Sequence, residues 1–268
     1  MPGSGGRSQG QELLSRTRTG ALALIAITTL GLAIPALGNA AVVRVLGPSL
    51  RIDGFAGETN VIEVRYQPSS PSQTGTLGPR LLVDDPVGSN ALGTLCFEVS
   101  FETASCDAAG VQTIDAGLAD GNDALVIANA GPEAVPASYP ASIRGGIGND
   151  VIKTGAGDDR VLGDVGKDSL AGGLGDDRIN GGPGTDGLVG FGGDDILAGG
   201  PGNDGIFGQK GRDEMSGGDG NDVIVARDGK PDERIDCGPG SPERALVDRE
   251  DPRPVSCTAA KPGKPKQP

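Results

Sequence analysis

The chain has 268 residues, with 48 glycines, 20 prolines, 3% aromatic residues and no tryptophan, which excludes an ordinary aromatic-rich core. A formal net charge of −13 excludes nucleic acid as a natural partner, because phosphate binding needs a basic surface. The absence of histidine removes His-based acid–base catalysis, His-activated nucleophiles and His-ligated zinc or copper.

At the N-terminus, Arg7, Arg16 and Arg18 precede the apolar stretch Ala21–Pro35. Small residues follow in Ala36–Ala41, with Gly38 and Ala40 at the −3 and −1 places of a cleavage site. Residues 1–40 therefore read as a signal peptide, and the apolar run falls short of the ~20 residues of a membrane span. No stable membrane span is expected once the leader is cleaved. Removing residues 1–40 takes away three Arg and one Glu, leaving 20 basic and 35 acidic residues and a charge of −15.

Residues 41–144 carry strand-like patches without helical period: Val42–Leu46, Asn60–Arg65, Arg80–Val83 and Cys96–Phe101. Pro68–Pro79 reads as a loop between them.

From Gly145 the chain reads in nines: GGIGNDVIK, TGAGDDRVL, GDVGKDSLA, GGLGDDRIN, GGPGTDGLV, GFGGDDILA, GGPGNDGIF, GQKGRDEMS, GGDGNDVIV. Nine units follow without insertion or deletion, and the fourth residue is always Gly. The sixth is always Asp: Asp150, Asp159, Asp168, Asp177, Asp186, Asp195, Asp204, Asp213 and Asp222. The eighth is always apolar: Ile152, Val161, Leu170, Ile179, Leu188, Leu197, Ile206, Met215 and Ile224. A fixed period of this kind marks stacked repeats rather than a glycine-rich linker.

Residues around the eighth position can form a short strand with one inward side chain. The others form a turn in which glycines take positive φ and direct carbonyl oxygens at a common point. Carbonyls plus a recurring carboxylate are hard donors of the kind Ca²⁺ prefers. The candidate metal ligands are therefore the nine aspartates and the glycines Gly146, Gly148, Gly157, Gly166, Gly173, Gly175, Gly182, Gly184, Gly193, Gly200, Gly202, Gly211 and Gly220. Carboxylates stacked in register repel one another, so a counter-ion is a structural requirement.

The pattern resembles the RTX (hemolysin-type) calcium-binding nonapeptide G-G-x-G-x-D-x-U-x, a repeat that general accounts of solenoid proteins already list. The resemblance implies an all-β, right-handed parallel β-roll (a β-solenoid) with two units per coil and calcium between neighbouring coils. Odd-numbered units would then stack along one edge and even-numbered units along the other. Departures from the consensus are Thr154 at position one and Asp164, Phe191 and Gln209 at position two. Three of these four fall on the even edge, which predicts a stronger ladder at Asp150, Asp168, Asp186, Asp204 and Asp222. Upstream, the Gly121–Leu125 segment repeats the G-x-D-x-U core three periods before Gly148, marking a degenerate coil near residues 118–127. Residues 41–144 are thus expected to form a β-rich cap on the solenoid.

Beyond Val225 the repeat ends, and residues 226–258 keep only the remnant Gly229, Asp232 and Ile235. This segment resembles the disulfide-bearing caps that close such repeats. All four cysteines, Cys96, Cys106, Cys237 and Cys257, follow the leader, and an even number in an exported chain suggests two disulfides. The local pairing Cys96–Cys106 and Cys237–Cys257 is preferred over the other two connectivities, because each pair lies in its own segment. Residues 259–268 form a basic, proline-rich tail that reads as disordered.

Three functional readings follow. The first is a non-catalytic, extracellular or cell-surface β-roll that binds calcium ions and folds on doing so. The second is a secreted enzyme or toxin carrying the repeats as an accessory; no H-E-x-x-H or G-x-S-x-G motif supports it. The third is a surface or adhesion protein stiffened by calcium, whose protein or cell-surface partner the sequence does not name. An EF-hand is excluded, since no D-x-D-x-D-G loop with its closing Glu is present.

Overall fold

The computed structural model describes residues 41–262 apart from 47–48, 55, 58, 68–69, 73–74, 78–79, 85–88, 93–95, 101–102, 109–110, 129–134, 136–138, 241–243 and 258. Residues 1–40 and 263–268 lie outside the described residues, and Ala259–Pro262, read from the sequence as part of a disordered tail, forms a strand beside Arg244–Val247.

Every regular element among the described residues is a strand, and the strands form two long, mostly parallel sheets. Alternate nonapeptides feed alternate sheets. One stacks Thr113–Gly117, Ala141–Ile147, Arg160–Val165, Arg178–Asn180, Ile196–Pro201, Glu214–Asp219 and Arg234–Asp236. The other stacks Ala124–Ile127, Val151–Lys153, Ser169–Leu174, Gly187–Gly192, Gly205–Lys210, Val223–Ala226 and Arg244–Val247, closing with Ala259–Pro262. Within the repeats each strand pairs with the one 18 residues on, for example Ile152 with Leu170 and Val161 with Ile179. Two nonapeptides therefore make one coil of a parallel β-solenoid.

Period-two alternation sends the eighth residue of each unit inward and its neighbours outward. Ile152, Leu170, Leu188, Ile206 and Ile224 form one buried column, and Val161, Ile179, Leu197 and Met215 the facing one. With a single aliphatic side chain per nine residues, the core between the sheets is thin.

Before the repeats both sheets continue. Ser49–Asp53 runs parallel to Thr113–Gly117, and Val61–Gln67 runs parallel to Ala124–Ile127. Antiparallel strands then complete this end: Ala41–Leu46 on Ser49–Asp53, Arg80–Asp84 on Val61–Gln67, and Thr103–Asp107 between Arg80–Asp84 and Cys96–Ser100. The segment read as a loop, Pro68–Pro79, contains a small hairpin of Ser70–Ser72 with Gly75–Leu77. A three-residue ladder has no periodic signature, and the surrounding prolines mask it.

At the other end Arg234–Asp236 joins Glu214–Asp219, with Ile235 opposite Met215, and a Cys237–Cys257 disulfide spans a Cα–Cα distance of 5.1 Å. Cys106 is disulfide-bonded and stands opposite Cys96 in the strand register. The side chain of Cys96 lies outside the described residues. Among the described residues no helix is long and apolar enough to cross a membrane.

Candidate metal centre

The sixth-position aspartates sit in the turns that link the two sheets, where each coil must reverse direction. The coil stacking puts each one 18 residues, hence one coil, from the next. Along the odd edge the Asp150, Asp168, Asp186 and Asp204 amides donate to Oδ1 of Asp168, Asp186, Asp204 and Asp222, each at 2.8 Å. Along the even edge the Asp159, Asp177 and Asp195 amides donate to Asp177, Asp195 and Asp213, each at 2.9 Å. The even edge is as regular as the odd one. Asp164, Phe191 and Gln209 adopt φ of 70°, 78° and 68°, so the turns keep their path at the cost of left-handed backbone.

One oxygen of each carboxylate is thus satisfied, and the other is not. Oδ2 of Asp150, Asp159, Asp168, Asp177, Asp186, Asp195, Asp204, Asp213 and Asp222 is buried without a hydrogen-bond partner, as is Oδ2 of Asp123. A column of buried orphan carboxylate oxygens is expensive and calls for a counter-charge. Its cost shows in the proton affinities. Burial, reinforced by neighbouring aspartates, pushes Asp150, Asp168, Asp204 and Asp213 up to about 6. It pushes Asp195 to about 7 and Asp177 to about 8. Asp159, Asp186 and Asp222 are raised as well, again through burial.

Glycine at position one makes room around the orphan oxygen. A Cβ built on Gly145 would stand 2.3 Å from Asp150 Oδ2 and 2.7 Å from the Gly163 carbonyl of the next coil. The same pair of oxygens meets a Cβ built on Gly163, Gly181 or Gly199. In each of these coils a carboxylate oxygen and a carbonyl oxygen therefore stand together over the glycine, where any side chain would collide with both. Glycine at position four has a different cause: a Cβ on Gly148, Gly166 or Gly202 would lie 1.4–1.5 Å from the position-four carbonyl of the preceding coil. These residues have φ of 150°, 151° and 154°, open only to glycine.

Among the described residues no three acidic or cysteine side chains converge on one point. A cation here would be held by carboxylate and backbone carbonyl oxygens together, a donor set that suits calcium and not a soft metal. The residues fit that ion.

The structure brings the nine predicted aspartates into two columns, with the position-two and position-four glycines stacked beside them. It also joins to them Asp123 of the degenerate coil and Asp232 of the C-terminal remnant, both read from the sequence, and adds Asp251. Asp123 heads the odd column, its amide donating to Asp150 Oδ1 at 2.8 Å. Asp232 and Asp251 prolong the even column, the Asp213 amide donating to Asp232 at 3.0 Å and the Asp232 amide to Asp251 at 3.2 Å. The spacing in these last coils is 19 residues, so one extra residue per coil takes them out of the nonapeptide register. A second ladder at position five runs the opposite way: the Lys167, Asp194 and Asn221 amides donate to the side chains of Asn149, Asp176 and Asn203.

The chain matches the family model described as RTX calcium-binding nonapeptide repeat (4 copies) at residues 142–170, 162–190 and 189–224. Comparisons with the curated proteins and with the solved structures found no match. The matched nonapeptides are calcium-binding motifs, and their aspartates are those of the two columns. Residues 142–224 are RTX calcium-binding nonapeptide repeats, folded as a parallel β-roll.

Proposed function

We propose that this chain is an exported, non-catalytic calcium-binding protein whose roll folds on meeting extracellular calcium. The observation that carries this reading is the double column of buried Oδ2 atoms without hydrogen-bond partners. The ligands are the sixth-position aspartates with carbonyls of the glycine turns. Bound calcium supplies the positive charge that lets these carboxylates stay ionised inside the fold. Folding and binding are coupled because the aliphatic columns give each coil little burial and the unneutralised carboxylates oppose stacking.

Export is supported by the leader-like residues 1–40 and by the Cys237–Cys257 disulfide, a bond that persists in oxidising compartments. The non-catalytic assignment is supported by the absence of histidine and of nucleophile or zinc-protease motifs from the sequence. Calorimetric titration of the chelator-treated full chain tests the reading. Saturable heats with several calcium ions per chain are expected, and a titration with no heat above dilution overturns it.

A further inference from the structure

Two positions depart from the repeat's pairing of a position-one glycine with an aspartate, one at the N-terminal end of each column: Asn60 replaces the aspartate, and Thr154 replaces the glycine while Asp159 keeps its orphan oxygen. On the odd edge the coil before Asp123 has Gly54 at position one and Asn60 in the aspartate's place. Asn60 is 3% exposed. Its amide Nδ2 donates to the Leu118 carbonyl at 3.2 Å and to Asp123 Oδ1 at 2.9 Å. Its backbone N–H donates to the same Oδ1 at 2.6 Å, as the aspartate amides do in the repeats. A Cβ built on Gly54 would meet the Leu118 carbonyl at 2.3 Å and Asn60 Nδ2 at 2.9 Å. In the repeats the corresponding Cβ meets a carbonyl oxygen and the orphan Oδ2. Asn60 thus puts an N–H donor where every repeat puts an unpartnered oxygen. Both facing atoms are acceptors, which fixes the amide nitrogen, not its oxygen, on this side.

On the even edge the first coil has Thr154 where the others have glycine. Thr154 is fully buried, and its hydroxyl lies within reach of the Gly172 carbonyl, the position-one carbonyl of the next coil, of the Ala171 carbonyl at 3.3 Å and of the Asp159 carboxylate. Its side chain fills the space that glycine leaves open beside Gly172, Gly190 and Gly208, where a Cβ would lie 2.1–2.2 Å from the aspartate Oδ2.

We infer that Asn60 and Thr154 are built-in substitutes for calcium, each closing the N-terminal end of one column by giving a hydrogen bond to the carbonyl that a cation would otherwise engage. Both columns need such an end. The last coil of a metal-bound stack exposes carbonyls with no further coil to share an ion, and a neutral donor satisfies them without importing charge. Asn and Asp differ here by one atom, so the substitution removes the negative charge and supplies the donor together. The inference rests on calcium binding by the repeats, and it takes Asp159 out of the ligands named for them, leaving it in the ladder beside a closed site.

Native mass spectrometry of the full chain at saturating calcium tests it by counting ions. Asn60→Asp restores the carboxylate beside Gly54, and Thr154→Gly reopens the space beside Asp159. Each variant is expected to carry one calcium more than the wild-type chain, and Thr154→Ser, which keeps the hydroxyl, the wild-type number. Unchanged or lower counts in Asn60→Asp and Thr154→Gly, an added ion in Thr154→Ser, or failure of Asn60→Asp and Thr154→Gly to fold in calcium, overturns the inference. A wild-type chain that carries no calcium instead overturns the reading on which it rests. As a second readout, the melting temperature of Asn60→Asp should fall below wild type in chelator and rise more steeply with calcium.

Discussion

The two edges of the roll are made from one nonapeptide, yet they differ at its fifth position. The odd edge carries Asn149, Lys167, Thr185, Asn203 and Asn221; the even edge carries Asp158, Asp176, Asp194 and Arg212. Asp159, Asp177 and Asp195 on the even edge are therefore flanked by more negative charge, whereas Asp213 has Arg212 beside it and rises only to about 6. Asp177 and Asp195 rise to about 8 and about 7, where Asp150, Asp168 and Asp204 rise to about 6. Burial is the first cause in all five, and on the even edge Asp158, Asp176 and Asp194 add repulsion. Equal hydrogen-bond geometry thus conceals unequal dependence on a counter-ion. The departures at Thr154, Phe191 and Gln209 led the sequence reading to expect a weaker even edge. The fifth position adds a second difference between the edges, an excess of negative charge beside Asp177 and Asp195.

The largest effect on this comparison should come from glycine at position four. Gly202→Val on the odd edge and Gly193→Val on the even edge each force a side chain into the carbonyl of the preceding coil. Each is expected to destabilise the calcium-loaded chain by about 3 kcal/mol or more, read from urea unfolding. A marked difference between them would show that the edges differ in backbone as well as in charge.

Next is the C-terminal closure. Cys237→Ser opens a disulfide with a sequence separation of 20 and should cost about 3 kcal/mol in the same measurement. Because Ile235 pairs with Met215, the loss should appear first as faster amide exchange in the last coils.

The pH dependence separates the edges directly. In the metal-free chain the inner aspartates have folded-state values above the unfolded value of 3.8, so the fold binds protons that the unfolded chain releases. Their contribution to stability is full below that unfolded value and is lost as pH rises through about 6 at Asp150, Asp168, Asp204 and Asp213 and through about 7 to 8 at Asp195 and Asp177. In chelator, circular dichroism should therefore show more ordered strand at pH 5 than at pH 8. Replacing Asp158, Asp176 and Asp194 together by Asn should move the loss of order to higher pH. No change in that variant would contradict the role given to the fifth position.

The smallest effect concerns position two. Phe191→Gly and Gln209→Gly relieve left-handed backbone and should each stabilise the loaded chain by at most about 1 kcal/mol, less the added freedom of the unfolded chain.

Much of this was legible from residue spacing. The invariant fourth, sixth and eighth positions gave the coil, the buried apolar columns and the carboxylate columns, because uninterrupted stacking turns a fixed spacing into a fixed contact. Where that spacing is broken, legibility fails. Asp232 and Asp251 sit one residue out of register per coil, so the first reads only as a remnant and the second not at all, and Asn60 lies 63 residues before its partner. Thr154 was visible as a departure, but its hydrogen bond to the Gly172 carbonyl depends on the neighbouring coil. The fifth position carries several residue types, so only the stacked turns reveal it as a second ladder.

The central claim, that buried orphan carboxylates make this fold depend on calcium, is tested most directly by far-UV circular dichroism of the full chain through a cycle of chelation and calcium return. The account predicts that the strand signal collapses in chelator at pH 8 and returns when calcium is restored. A spectrum that keeps its strand signal in chelator at that pH would contradict it.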